Sequence, residues 1–527
     1  MLRHHRVMPL RPSLARHPWL LLALLGCIIM LPALLWGPGA THSYLYNHIW
    51  TRHFGEQMAA GHLYEQWLPR SFEGLGSPAF YFYPPIAYWL SGGLNAMGLT
   101  VGQAINGASL LLLIASGITM HAFLADRGTR PLLGATLYMV APYHLFDIYV
   151  RGALAEFAGF VWLPLIALGI RWLPARRGVL LLGCSYGALI LTHLPLATLT
   201  GLFLIAPLMV RSLWDDRSIM IPGLCAGLIA FALSAFYLLP AATLQPHMST
   251  SLLWTGKYQA SVWSIWTEDF ALFPCLAMGM IVIAAPARSL WSAIAAITAL
   301  AAVNLIPWLW SIDLLDKVQF PWRILAITEF AAITAVVSCP PRRVLLVGAA
   351  VVLAFPMALT ALVAHAMLAM PVDYRWLENH VPDAPEYLPN GFDTGLVDRL
   401  DRDTDLRGFR ALPRGNRLVV THPGPVTMGH AAFPIWRVTR NGQTVVSTGP
   451  LIRFQAQPGV YRIERVRLWQ EDVGAAITIA ALLLIAIMTL PRAISHLSKF
   501  PPYSPLSTLS DRRFLRNVRS RFSGGEL

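Results

Sequence analysis

The chain has 527 residues, of which 56% are hydrophobic and only 13% charged, with a net charge of +13. That apolar share exceeds what a soluble domain can bury, so the composition excludes a soluble globular protein and points to a bilayer as solvent. The positive charge falls mostly where a membrane protein keeps its cytoplasmic Lys and Arg, which argues against a nucleic-acid-binding surface.

Arg3, Arg6, Arg11 and Arg16 precede the first apolar run, so residues 1–17 are expected inside. The run itself, at roughly 18–37, is too long for a cleaved signal peptide and lacks its small-residue exit. Further spans are expected at roughly 102–125, 131–148, 154–173, 179–193, 195–210, 218–240, 270–286, 289–309, 320–338, 343–365 and 473–490. Arg127/Arg130, Arg176/Arg177, Arg211/Arg217, Arg288 and Arg342/Arg343 mark every second connection as cytoplasmic, and both termini fall on that side. The fold class is therefore an all-α polytopic membrane protein of about 12 transmembrane helices with a small β-rich extracytoplasmic domain. The expected location is a bacterial inner membrane.

The first outer loop, 38–101, is long and rich in aromatics, His, Gly and Pro, and such loops tend to carry function. Its end, from Pro84 to about Leu99, is apolar but short for a span and reads as a helix at the outer interface. Within the loop, Gly74-Leu75-Gly76-Ser77-Pro78-Ala79-Phe80-Tyr81-Phe82-Tyr83-Pro84-Pro85 fixes a turn and presents aromatics. These anchor the interface or offer Tyr81 and Tyr83 as faces for sugar rings and isoprenoid chains.

At the junction of the third and fourth spans, Asp147, Arg151 and Glu156 bring ionisable groups to membrane depth. Such groups pair with one another and face a cavity. Either a structural tie or a catalytic set satisfies that cost. Thr192-His193-Leu194-Pro195 puts a His in a Pro-broken turn, as a structural or a binding residue. Gln319-Phe320-Pro321-Trp322-Arg323 opens the tenth span, where Arg323 either snorkels or grips a phosphate.

Residues 366–472 change to Asp, Arg, Pro and Gly with alternating strands, and 393–410 is densely charged. Asn441-Gly442 predicts a hairpin, and Gln457-Pro458-Gly459 a second one. Residues 491–527 form a basic cytoplasmic tail, solvated or touching anionic headgroups. The five cysteines, all in or at the edge of spans, imply neither disulfides nor a thiolate metal site. No P-loop, dinucleotide fingerprint or nucleophile elbow is present in a credible context, which disfavours ATP-driven and redox chemistry.

In chain order these motifs resemble a bacterial family of polytopic proteins with the glycosyltransferase C fold, often labelled "membrane protein, 6-pyruvoyl-tetrahydropterin synthase-related". The resemblance spans most of the chain. It rests on Gly61-His62-Leu63-Tyr64 with Trp67, the run Gly74 to Pro85, Ala141-Pro142-Tyr143 with Arg151-Gly152-Ala153 and Glu156, and Thr192-His193-Leu194-Pro195. Tyr237-Leu238-Leu239-Pro240, Pro321-Trp322-Arg323, Glu386-Tyr387-Leu388-Pro389 and Phe433-Pro434-Ile435-Trp436 continue it. The three-His zinc site and Cys nucleophile of the pterin synthase are not visible.

The resemblance implies transfer of a sugar from a polyprenyl-phosphate-linked donor to a glycan or lipid acceptor on the outer face. Glu156 and Asp147 would be catalytic, and Arg151, Arg323, Trp67, Tyr81, Tyr83 and His193 would bind substrate. The cofactor is left open, with a divalent metal as one option. The sequence departs from the family pattern where an acidic His-Asp and a later His are usual: it has His42-Ser43 and then Asn47. Glu65-Gln66 likewise stands before Trp67 where Pro-Arg is usual. Glu56, Glu65 and Glu73 remain as substitute acids in the loop. The alternative is a non-catalytic protein that binds, transports or assembles a polyprenyl lipid or glycan.

Overall fold

In this computed structural model the described residues are 17–72, 74–249, 259–263, 272–339, 343–372, 376–377, 383–392 and 416–489. The expected basic N-terminus, the basic tail, the charged loop 393–410 and Glu73 lie outside them. Residues up to Ala481 form one compact unit, and the end of the last helix belongs to a second.

The protein is mostly helical with a small β domain near the C-terminus. Among the described residues five helices are long and apolar enough to cross a membrane: Pro18–Trp36, Val101–Asp126, Leu154–Arg171, Leu194–Asp215 and Trp469–Thr489. A sixth candidate is the pair Arg217–Leu233 and Ala235–His247, bent by 69°. The span expected at 343–365 lies within the 27-residue helix Arg343–Ala369, and the others are shorter or interrupted helices, such as Arg176–Ile190, Leu272–Ala284, Leu290–Ala302 and Leu325–Val337. Pro18–Trp36 exposes Leu24, Ile28 and Leu35 along its length, a surface that only lipid satisfies.

Sequence chemistry sets the breaks. Thr100 accepts from Gln103 N at 3.3 Å and Gln103 Oε1 from Thr100 N at 3.0 Å, a capping box that opens the 26-residue helix Val101–Asp126. The span expected at 131–148 is interrupted. The helix Pro131–Met139 ends before Ala141, which precedes a proline and is extended, and Pro142–Phe146 starts a new helix. Asp147–Arg151 then makes one π-helical turn, Gly152 reverses the chain at φ +58°, and Leu154–Gly159 begins the next helix. A Cβ on Gly152 would run into the Thr41 side chain, so the turn needs glycine for both conformation and space.

One end of the bundle is basic. Arg171 Nε pairs with Asp126 at 2.7 Å, the Arg177 guanidinium lies 4.5 Å from the Trp172 ring centre, and Arg130 donates to the Cys339 carbonyl at 3.0 Å. The opposite end carries the β domain and the segment 38–101. The longer helices of that segment are Tyr44–Ala59 and Ile86–Ala96, with a four-residue helix, Ala79–Phe82, between them. Ile86–Ala96 matches the expected interfacial helix. Tyr44–Ala59 was not foreseen, because its sequence is polar and lacks a clear apolar stripe.

The β domain has strands β1 (Arg417–Val420), β2 (Gly424–Ala431), β3 (Trp436–Arg440), β4 (Gln443–Val445), β5 (Leu451–Ala456) and β6 (Gly459–Arg465). They form a sheet in the order β1-β6-β3-β4 and a pair β2-β5, around Met428, Val438, Ile452, Phe454 and Ile463. Asn441-Gly442 is the expected two-residue hairpin, with φ +51° and +80° and Arg440 facing Gln443. The second expected hairpin does not form. The chain does reverse at Gln457-Pro458, but β5 pairs with β2 while β6 pairs with β1 and β3, so this turn is a corner between two sheets. The alternation of β5 and β6 shows that each has a buried face but not which strand covers it.

The segment 38–101 locks this domain down. Ala431 N donates to the Leu75 carbonyl at 2.8 Å, and Phe72, Leu75, Leu388, Phe392 and Leu451 form a shared apolar cluster. Gly76, at φ +84°, lies against the Trp67 ring.

Candidate functional site

Between the π-helical turn and the helices around it lies a largely buried cluster of charge. Glu156 comes from the first turn of Leu154–Gly159, Asp147 and Arg151 from the π-helical turn, Arg323 from the 3-10 turn Pro321–Ile324, and His193 from the cap of Leu194–Thr200. Glu156 Oε2 faces Arg151 Nη1 at 2.7 Å, Arg323 Nε at 3.3 Å and His193 Nε2 at 4.0 Å. Tyr143 donates its hydroxyl to Glu156 Oε1 at 2.5 Å. Arg151 Nη1 also donates to Asp147 Oδ1 at 2.7 Å and to the Tyr143 oxygen at 2.8 Å. His193 Nδ1 accepts from Leu196 N at 3.3 Å, which assigns the ring proton to Nε2, the atom that faces Glu156.

Asp147 and Glu156 each keep one buried oxygen without a hydrogen-bond partner among the described residues, Oδ2 and Oε2, but Glu156 Oε2 lies within ion-pair range of Arg151 and Arg323. Asp147 lines a cavity of about 30 Å³ together with Thr41, Asn47, His48 and Asn106, enough room for a water and polar enough to hold one.

The sequence-predicted residues thus divide. Glu156, Asp147, Arg151, Arg323 and His193 come together. Tyr83 borders them: it packs on Trp50 with ring centres 4.6 Å apart, burial pushes its phenol up to about 12, and the Arg323 charge also acts on it. Trp67 and Tyr81 do not join the centre. Trp67 packs on His430, Phe433 and Trp436 of the β domain. Tyr81 donates to Glu471 at 2.8 Å and receives from Arg465 at 3.4 Å. Both clamp the β domain to the segment 38–101, because the turn at Gly74-Leu75-Gly76 aims them that way.

The substitute acids are elsewhere too. Glu65 pairs with Arg465 at 2.5 Å, and Glu56 with Arg52 at 3.0 Å and Arg70 at 2.9 Å. Positions 43 and 47 do reach the centre, through backbone: Ser43 N donates to the Arg151 carbonyl at 2.9 Å, and Asn47 Nδ2 donates to the Gly152 carbonyl.

Sequence reading missed Glu329. Its oxygens accept from Tyr143 N at 2.5 Å and His144 N at 3.1 Å, holding the helix that carries Tyr143. The signal was present: Glu329 is the one ionisable residue in the apolar helix Leu325–Val337. Asp383, which accepts from Trp50 Nε1 at 3.0 Å, was also missed, and its burial pushes the carboxyl up.

Among the described residues no group of three or more His, Cys, Asp or Glu is placed to hold a metal ion. The position between Asp147 Oδ1 and Glu156 Oε2 is taken by the Arg151 guanidinium, at 2.7 Å from each.

No family model and no curated protein matches the chain. Among solved structures it is similar to two cryo-EM structures of arabinofuranosyltransferase AftD from Mycobacteria, one of them a mutant. Each has a TM-score of 0.45, at 15% and 16% identity over 70% and 79% of this chain. The chain spans 30% of the length of those proteins.

Proposed function

We propose that this is an inner-membrane glycosyltransferase, with both termini cytoplasmic and the β domain outside. It would move a sugar from a polyprenyl-phosphate-linked donor to a glycan or lipid acceptor at the Asp147–Glu156 centre. The observation that carries this reading is the buried set of two carboxylates and two guanidiniums from three chain segments, whose burial in an apolar bundle is costly without a use.

The roles follow from the contacts. Glu156 has Tyr143 on one oxygen and two arginines on the other, so it acts as a fixed counter-ion that aims Arg151 and Arg323. Asp147 meets Arg151 at Oδ1, keeps Oδ2 without a hydrogen bond and lines the small cavity, so it is the base. The acceptor hydroxyl attacks the anomeric carbon, the bond from that carbon to the phosphate oxygen breaks, and the acceptor's proton passes to Asp147 Oδ2. Formal charges at the centre cancel in pairs beforehand. Protonation of Asp147 releases Arg151 from one of its two anions just as the leaving polyprenyl phosphate gains a negative charge, which is when a guanidinium is most useful. Purified protein with radiolabelled hexosyl and pentosyl polyprenyl-phosphate donors tests this: Asp147→Asn should abolish transfer, and Arg323→Ala should weaken donor binding.

A second reading is supported by positions 43 and 47, which touch the centre without supplying an acid. A protein that binds a polyprenyl lipid or glycan for transport or assembly needs the arginines but no base. That reading predicts full complementation of a gene deletion by Asp147→Asn.

A further inference from the structure

We propose that a groove beside the centre, between the end of Pro18–Trp36, the helix Tyr44–Ala59 and the start of Val101–Asp126, seats a lipid with a phosphate headgroup. This does not rest on the transfer reading. The groove measures about 810 Å³, within the range of ligand sites. It lies where two membrane-crossing candidates end, so one side of it meets the apolar core and the other the interface. Leu34, Trp36 and Val101 supply an apolar wall, and Trp36 is 71% exposed, as expected at the headgroup level.

His48 and Arg52 form the polar lip. Arg52 is held in place: its Nε pairs with Glu56 at 3.0 Å, and its two terminal nitrogens have no partner among the described residues. Glu56 is shared with Arg70 at 2.9 Å, so one carboxylate lies between two guanidiniums and the lip keeps a net positive charge. An arginine that merely snorkelled would not need its Nε fixed; fixing that edge leaves the forked end free for two phosphate oxygens. A chain against the apolar wall and a phosphate on Arg52 is the occupant that matches both halves. The groove also shares Pro38, His48 and Asn106 with the small cavity at Asp147, so the headgroup would rest one residue layer from the centre.

Photoactivatable phosphatidic acid, phosphatidylglycerol and diacylglycerol with identical diazirine-bearing chains, presented to the purified full chain in nanodiscs, test the proposal. Peptides covering 34–52 and 99–107 should be labelled by both phosphate lipids about fivefold more than by diacylglycerol, the gain one arginine gives at a membrane surface. Arg52→Gln should remove the difference, Arg52→Lys should keep only a minor part of it because the ammonium lacks the fork, and Val101→Trp should lower labelling by all three lipids. Millimolar inorganic phosphate should not compete. Equal labelling by diacylglycerol would reduce the groove to an ordinary lipid contact. Displacement of the phosphate lipids by inorganic phosphate would make it a site for a free anion. Either overturns the proposal, whether or not the protein transfers sugar.

Discussion

Replacing Glu156 by glutamine keeps the side chain's shape and removes only its charge. Tyr143 can still donate to the amide oxygen, and Arg151 keeps Asp147 at 2.7 Å, but Arg323 loses the carboxylate it pairs with, at 3.3 Å. Neutralising one member of a buried ion pair costs about 3–5 kcal/mol, and the retained Asp147 contact puts this case near about 3 kcal/mol. Much of that cost is the stranded guanidinium, so it should shrink when Arg323 is also removed. The Glu156→Gln, Arg323→Gln double variant should lose about 1–3 kcal/mol less than the sum of the singles. Reversible unfolding of the full chain in mixed micelles, followed by tryptophan fluorescence, measures all four corners of the cycle. Losses that add to within about 0.5 kcal/mol would refute the view that Glu156 exists to hold the arginines.

Gly152→Val should cost about 2–4 kcal/mol, combining the left-handed strain with a clash against Thr41, and the same unfolding assay reads it. Gly442→Val should cost about 1–2 kcal/mol and speed amide hydrogen exchange at Val438 and Thr444 while leaving the membrane helices unchanged. His430 in the β domain is held by burial down to about 4, below its ordinary 6.5. The unfolded chain therefore binds its proton first, and β-domain stability should fall as pH drops from about 6.5 to about 4 and then level off. Glu386, pushed by burial up to about 7, acts in the opposite sense and loses its contribution as pH rises from about 4.5 to about 7. In hydrogen exchange of β3 against pH, His430→Phe should remove the acid-side loss, and Glu386→Gln the loss on the alkaline side.

The membrane class, the β domain and the Asn441-Gly442 turn were legible because each rests on local composition or on a turn that few residues can make. The convergence of Asp147, Arg151 and Glu156 was legible for a related reason: charges in an apolar chain must find one another. Their division of labour was not, since it depends on which oxygen each arginine meets, and that follows from the π-helical turn and the reversal at Gly152. Trp67 and Tyr81 carry the same aromatic chemistry as Tyr83. Only the turn at Gly74 to Gly76 decides that they clamp the β domain and do not face the charges. The corner at Gln457-Pro458 was missed because alternation within a strand does not name its partner. Glu329 was less legible because it lies mid-helix in an apolar stretch, with no turn or loop end to mark it.

The most direct test of the central claim is radiolabelled sugar transfer from polyprenyl-phosphate donors by purified wild type, Asp147→Asn, Glu156→Gln and Arg323→Ala. The account predicts transfer by the wild type, none by Asp147→Asn while that variant stays folded, a raised KM for Arg323→Ala, and partial activity for Glu156→Gln as the arginines lose their alignment. Activity retained in Asp147→Asn would contradict it. So would a wild type inert with every donor whose gene-deletion phenotype Asp147→Asn restores in full.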